Sequence, residues 1–191
     1  AYMFGIGATE MAGVLATGEI WIKVPETILM SWRNQLSAYV TAKDMMLAMC
    51  RKIGMGGGRY QAIQYAGQTI QALSMQERMT LSNMAAELGA QAGLIAPDEA
   101  TVAFVQAAGG TVPANWRDFQ IEAAESAENV MQFDADSLEP QIAAPHSPEN
   151  ADAADAFRNI SFDVAYIRAC TGAKYVDLAA AAEVLKGRRI A

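Results

Sequence analysis

Cys170, Asn83 and Glu87 are the residues whose types and spacing could do chemistry in this chain of 191 residues. Cys170 opens the turn Cys170-Thr171-Gly172-Ala173, between an apolar stretch at 163–169 that reads as a strand and an alanine-rich stretch at 177–186 that reads as a helix. In open α/β sheets, ligands bind just past the carboxyl ends of strands. A thiol in a turn near a helix N-terminus can hold a lowered pKa and serve as a thiolate metal ligand. The alternative is a small buried hydrophobe at a strand end. Asn83 and Glu87 lie four apart in a helical pattern and so share a face. An amide and a carboxylate converging on a pocket could bind a substrate hydroxyl or a metal-bound water; the alternative is a solvated helical face.

Other motifs are thinner. Gly5-Ile6-Gly7 lacks the third glycine and the preceding strand of a dinucleotide fingerprint, and Gly56-Gly57-Gly58 lacks the Gly-Lys-Ser/Thr of a phosphate loop. The chain has one histidine, His146, set between Pro145 and Ser147, which argues against a Ser-His-Asp triad or a His-rich zinc site. Two cysteines make no disulfide framework, so a reducing cytoplasm is the expected compartment. A net charge of −7 argues against nonspecific binding of nucleic acid. The one basic cluster, Lys186, Arg188 and Arg189, sits where a helix ends and the helix dipole favours cations. No run approaches the roughly 18 apolar residues that cross a bilayer, so no membrane partner is expected. The opening Ala1-Tyr2-Met3-Phe4-Gly5 has no charged n-region and reads as interior sequence of a longer chain rather than a signal peptide.

The elements that must position these residues alternate between strand and helix, which gives the α/β class. A helix is expected over 9–16, capped by Thr9 and stopped by Gly18, then a strand over 19–24 that ends at Pro25. Thr41 and Asp44 form a capping box for a helix over 41–53, whose apolar face is Met45, Met46, Met49, Cys50 and Ile53. A strand over 60–66 follows. Ser74 and Glu77 box the start of the helix that carries Asn83 and Glu87, and Gly89 stops it. A short strand over 93–96 closes at Pro97, Asp98 caps a helix through Ala108, 116–128 could be helical and 130–133 extended. Three prolines between 140 and 150 mark a connector between two unequal lobes. Hydrophobic residues make up 52% and mean hydropathy is +0.10, which suits a chain with part of its surface covered by something else.

Four stretches, taken in order, resemble one family. The first runs from Gly5 through Thr9-Glu10 and Ala16-Thr17-Gly18 to Lys23-Val24-Pro25-Glu26. The second is Thr41-Ala42-Lys43-Asp44 with Tyr65-Ala66-Gly67. The third is Ser82-Asn83-Met84-Ala85-Ala86-Glu87-Leu88-Gly89 and on to Ala96-Pro97-Asp98-Glu99. The last is Cys170-Thr171-Gly172-Ala173-Lys174 with Asp177-Leu178. Together they resemble the large subunits of 3-isopropylmalate dehydratases, within the aconitase superfamily, over essentially the whole chain. The resemblance implies three-layer α/β domains with mixed sheets flanked by helices, present here in incomplete form. Residues 1–36 would be the tail of a first domain, 37–139 a small second domain, 140–150 a connector and 151–191 the start of a third, cluster-bearing domain. It implies a hydro-lyase acting on a small-molecule hydroxy acid, a 4Fe–4S cluster with Cys170 as one ligand and Thr171 beside it, and a small-subunit partner. Glu87 would hydrogen-bond the reacting hydroxyl or water, and Asn83 would support the cluster side.

The departures are as specific as the matches. The family has Asp-Ser-His-Thr upstream of the opening glycines and a Cys-x-x-Cys pair downstream of the Cys170 helix, and neither is in this sequence. Arg168 stands where the family has glycine. One cluster cysteine cannot hold a 4Fe–4S cluster, and Cys50, in mid-helix on an apolar face, cannot replace the others. The isolated chain is therefore expected to be inactive and to expose apolar surface. Competing expectations are a dehydratase for homoaconitate, a methylmalate or citrate, and a non-catalytic remnant or interaction module.

Overall fold

The computed structural model describes residues 1–120, 129–167, 171 and 173–189. Cys170 and Arg168 lie outside these residues. So does 121–128, most of the stretch expected as helix over 116–128, of which Trp116–Phe119 forms a 3-10 turn.

Five strands make one mixed sheet in the order β1-β4-β3-β2-β5. The strands β2 (Thr27–Arg33), β3 (Ala62–Ala66), β4 (Ala92–Leu94) and β5 (Val130–Asp134) run parallel, and β1 (Tyr2–Phe4) closes one edge antiparallel to β4. Parallel neighbours need crossovers. The helix α2 (Ala42–Ile53) carries the chain from β2 to β3, and α3 (Gln68–Ala72) with α4 (Met75–Met84) carries it from β3 to β4. The helix α5 (Glu99–Ala107) follows β4, starting at Asp98, whose Oδ1 accepts from Thr101 N–H at 3.1 Å. The architecture is the expected α/β sheet flanked by helices.

The core lies between the sheet and α2 with α4. Ile28, Met30 and Trp32 of β2 and Ile63 and Tyr65 of β3 meet Met45, Met46, Met49 and Cys50 of α2 and Leu81 and Met84 of α4. The apolar face anticipated for 41–53 is thus the face buried. Thr41 N–H donates to Asp44 Oδ2 at 2.7 Å, closing the box. The other oxygen, Asp44 Oδ1, accepts from Gln141 N–H at 2.7 Å. That contact holds β6 (Gln141–Ala143) on α2, and β6 pairs antiparallel with β7 (Ala151–Ala153). The proline-rich segment 140–150 therefore includes a strand packed on the core helix.

Two expected strands are corrected. Residues 19–24 form no strand, and Trp21 and Val24 are each 86% exposed. The strand is β2, directly after Pro25 and Glu26. As an interior strand running parallel to both its neighbours, β3 and β5, it is covered on both faces, so Ile28-Leu29-Met30 form an apolar run instead of the alternation used to find strands. Residues 163–167 form no strand either, and Val164 is 79% exposed. The helices α1 (Ala8–Thr17) and α6 (Tyr175–Leu185) contribute no buried residue. Leu15, Phe162, Tyr175 and Val184 are all exposed, which is the exposed apolar surface the sequence leads one to expect. No helix among the described residues is long and apolar enough to cross a membrane.

Glycine sets how closely α4 approaches the sheet. A Cβ added at Gly93 of β4 would lie 2.5 Å from Ser82 O and 2.8 Å from Ser82 Cα, both backbone atoms of α4. Gly93→Ala must push α4 away and is expected to destabilise the chain by about 1–3 kcal/mol, the usual range for overpacking. Urea unfolding of the two chains measures this, and an unchanged midpoint would show that α4 can retreat freely.

Candidate functional site

α4 is the platform of the site. Its start is fixed by a reciprocal box: Glu77 N–H donates to Ser74 Oγ at 3.3 Å and Ser74 N–H donates to Glu77 Oε2 at 3.1 Å. Its apolar side, Leu81 and Met84, is buried against the sheet. Asn83 stands in the last turn. The path then tightens into a 3-10 turn, Ala85–Leu88, which holds Glu87 and ends at Gly89, whose φ of 72° suits glycine. The expected helix through Leu88 therefore changes pitch between the two candidate residues. A 3-10 turn has fewer residues per turn than an α-helix, so Glu87 is rotated off the line through Asn83. Both side chains are half-buried, and no hydrogen bond joins them.

The turn after Cys170 docks on the same helix. Thr80 Oγ1 donates to Thr171 O at 3.3 Å, Lys174 Nζ donates to Gln76 O at 2.9 Å and lies 3.5 Å from Thr80 Oγ1. Thr80 is three residues before Asn83, so the turn meets α4 on a row that passes Asn83. Between them is a cavity of about 410 Å³, lined by Thr41, Lys43, Glu77, Thr80, Thr171 and Asp177 among others. Asn83 and Glu87 do not line it. Thr80 and Lys174 are the docking residues that spacing alone did not single out. Both are polar groups bonded to a helix backbone, which leaves no periodic signal.

Burial is the main influence on Glu87. Desolvation of the half-buried side chain pushes its carboxyl up, and its own backbone N–H and the charge of Lys43 only partly offset this. A carboxyl raised in the folded state favours folding fully below its unfolded value, ~4.3, and that contribution is lost as pH rises through the folded value. Glu87→Gln is therefore expected to be more stable than the parent at pH 7, with the difference gone below about pH 4. Urea midpoints at the two pH values read it out. Equal midpoints at pH 7 would mean that Glu87 is as well solvated folded as unfolded.

Among the described residues the metal-ligating donors do not make a cluster site: no group of three or more His, Cys, Asp or Glu could hold a metal ion. Cys50 is fully buried, and burial first, then the charges of Glu87 and Glu149, push its thiol up to about 11, the reverse of what a thiolate ligand needs. Cys170 is the other cysteine of the sequence. Two cysteines, one of them a core residue, do not fit a whole 4Fe–4S cluster.

Residues 1–159 match the aconitase family (aconitate hydratase). The chain is 38% identical over 190 residues to the 3-isopropylmalate dehydratase large subunit of Moorella thermoacetica, covering 100% of this chain and 44% of that protein. It is 37% identical over 190 residues to the probable 3-isopropylmalate dehydratase large subunit of Methanothermobacter thermautotrophicus, covering 100% and 45%. It is 40% identical over 193 residues to the 3-isopropylmalate dehydratase large subunit of Nitratidesulfovibrio vulgaris, covering 100% and 45%. The chain thus spans a little under half the length of these relatives.

Proposed function

This chain belongs to the aconitase family, and from that premise we propose that it is part of the large subunit of a 3-isopropylmalate dehydratase. The proposed reaction is removal and re-addition of water on a 2-hydroxy diacid in leucine biosynthesis. The observation that carries this reading is identity of 37–40% to such large subunits along the whole chain. The docking of the Thr171 turn onto α4, the helix that bears Asn83, supports it.

Dehydration breaks a C–O and a C–H bond: the departing hydroxyl takes a proton and leaves as water, and the C–H proton goes to a separate base of the assembled enzyme, a role not given to Glu87 or Asn83. Glu87, with its carboxyl raised by burial, holds a proton more readily at neutral pH than an exposed carboxylate does and is suited to pass it to that oxygen and take it back on rehydration. The Asn83 carboxamide, a donor and an acceptor, orients the same hydroxyl. The proposed full-length protein carries a 4Fe–4S cluster with Cys170 as one ligand and Thr171 beside it, whereas this chain alone does not retain it. A small subunit is the proposed partner, in the cytoplasm, and the isolated chain is inactive.

The test is a chimera in which these residues replace the matching stretch of one of the relatives, co-expressed with that enzyme's small subunit. Dehydration of 3-isopropylmalate is expected, at rates above those with homoaconitate, citramalate or citrate. A folded, assembled chimera with no hydro-lyase activity on any of the four would sink the reading.

A further inference from the structure

We infer that the cavity at the carboxyl ends of β3 and β4 binds a small zwitterion of the free α-amino acid class. The cavity, about 280 Å³, is lined by Gln64, Gln71, Arg78, Pro97, Asp98 and Gln120 among others, and by neither Asn83 nor Glu87. It occupies the crevice outside two adjacent parallel strands, where open α/β sheets take their ligands. Its volume falls just below the range of about 300–1,000 Å³ typical of pockets for larger small molecules, so a ligand of single-residue size fits.

Two side chains make it a built site. Gln64 is 3% exposed and its carboxamide makes no hydrogen bond. Its amide atoms are not among the fully buried orphans, which are Trp32 Nε1 and Tyr65 Oη, and Gln64 lines the cavity, so the little surface it keeps is available to a ligand. Arg78 is 1% exposed and donates from Nε to Leu73 O at 3.1 Å, from one terminal nitrogen to Asp98 Oδ1 at 2.7 Å and from the other to Gln71 O at 2.8 Å. A guanidinium has five N–H groups, so one on each terminal nitrogen is left without a partner. Asp98 Oδ1 accepts from Arg78 and from the Thr101 N–H and hydroxyl, and Oδ2 accepts from none of them.

The lining thus offers unused cationic donors, an unused carboxylate oxygen and an amide able to serve either. The Arg78–Asp98 pair has no net charge, and the nearby Ala1 amino group, lowered to about 6 by burial and then by the Arg78 charge, is mostly neutral at pH 7, so a lone carboxylate meets Asp98 and a lone amine meets Arg78 at a cost. A zwitterion meets neither penalty: its carboxylate goes to Arg78 and the Gln64 amide N–H groups, its ammonium to Asp98 Oδ2 and the Gln64 amide oxygen.

An NMR titration of this chain with L-serine and L-glutamine tests the site, with propionate and ethylamine as probes of each charge alone. The Gln64 side-chain amide signals, assigned by their loss in Gln64→Leu, are expected to shift saturably with the amino acids and not with propionate or ethylamine. Gln64→Leu, verified as folded by circular dichroism, is expected to weaken binding by about tenfold or more, the cost of one lost hydrogen bond to a charged group. Amide signals that stay still, a response to propionate equal to that to L-serine, or unaltered affinity in the folded Gln64→Leu chain would each overturn the proposal. None of these readouts depends on hydro-lyase activity.

Discussion

Glu87→Gln, placed in the chimera with a related dehydratase large subunit proposed above, is expected to lower turnover by about 10²–10⁴-fold, the range for removing a group that transfers a proton in the reaction. Glutamine keeps the size of the side chain and its hydrogen bonding but cannot give up or accept a proton. Loss of fold does not account for such a drop. Glu87 sits half-buried with its carboxyl raised by desolvation, so neutralising it stabilises the folded chain at neutral pH. Stability and activity should therefore move in opposite directions, and a stability scan beside the rate assay separates them. Asn83→Ala supplies the comparison. Its amide is proposed to orient the hydroxyl and carries no proton, so it should cost less in turnover than Glu87→Gln and should leave the pH profile unchanged. Turnover of Glu87→Gln within a few-fold of the parent would remove Glu87 from the proton path and return it to the solvated helical face that its spacing also allows.

The parts of the fold that could be read from sequence are those with local signals. Thr41 with Asp44, Ser74 with Glu77 and Asp98 each mark a helix start that the structure keeps, because a cap is a contact between residues three apart. Alternation passes over β2 and points instead to a strand before Pro25, because burial on both faces of parallel strands erases alternation. That Tyr2 and Leu94 pair in one sheet has no local signature at all. In the candidate site, spacing puts Asn83 and Glu87 on one helical face but gives no sign of the change of pitch at Ala85, since Ala85-Ala86 is compatible with either helix. Arg78 has no local signature that sets it apart from the other polar residues of α4. Its meaning depends on Gln71, Leu73 and Asp98, which only the folded chain brings together.

Arg78→Met is expected to cost about 3–5 kcal/mol, the range for removing one partner of a buried ion pair. Methionine fills a similar volume, so the loss measures polar contacts more than packing. The guanidinium ties the end of α3, through Gln71 O, to the entry of α4, through Leu73 O, and to the cap of α5, through Asp98. Without it two carbonyl groups lose their donor and a carboxylate loses its cation. The Asp98 side chain is 34% exposed, and water can repay part of that loss, which places the expected value near the lower end of the range. The pH dependence identifies the cause. Burial pushes the Asp98 carboxyl up, but the hydrogen bonds from Arg78 and Thr101 and the Arg78 charge outweigh it, so the carboxyl is held below its ordinary range. A lowered carboxyl stabilises the fold fully above its unfolded value, ~3.9, and loses that contribution as pH falls through the folded value. The stability gap between parent and Arg78→Met, measured by urea unfolding, should therefore narrow on acidification below about pH 4. A gap that stays constant from pH 7 to pH 3 would mean that Arg78 acts through the two carbonyls alone, and that Asp98 owes it nothing.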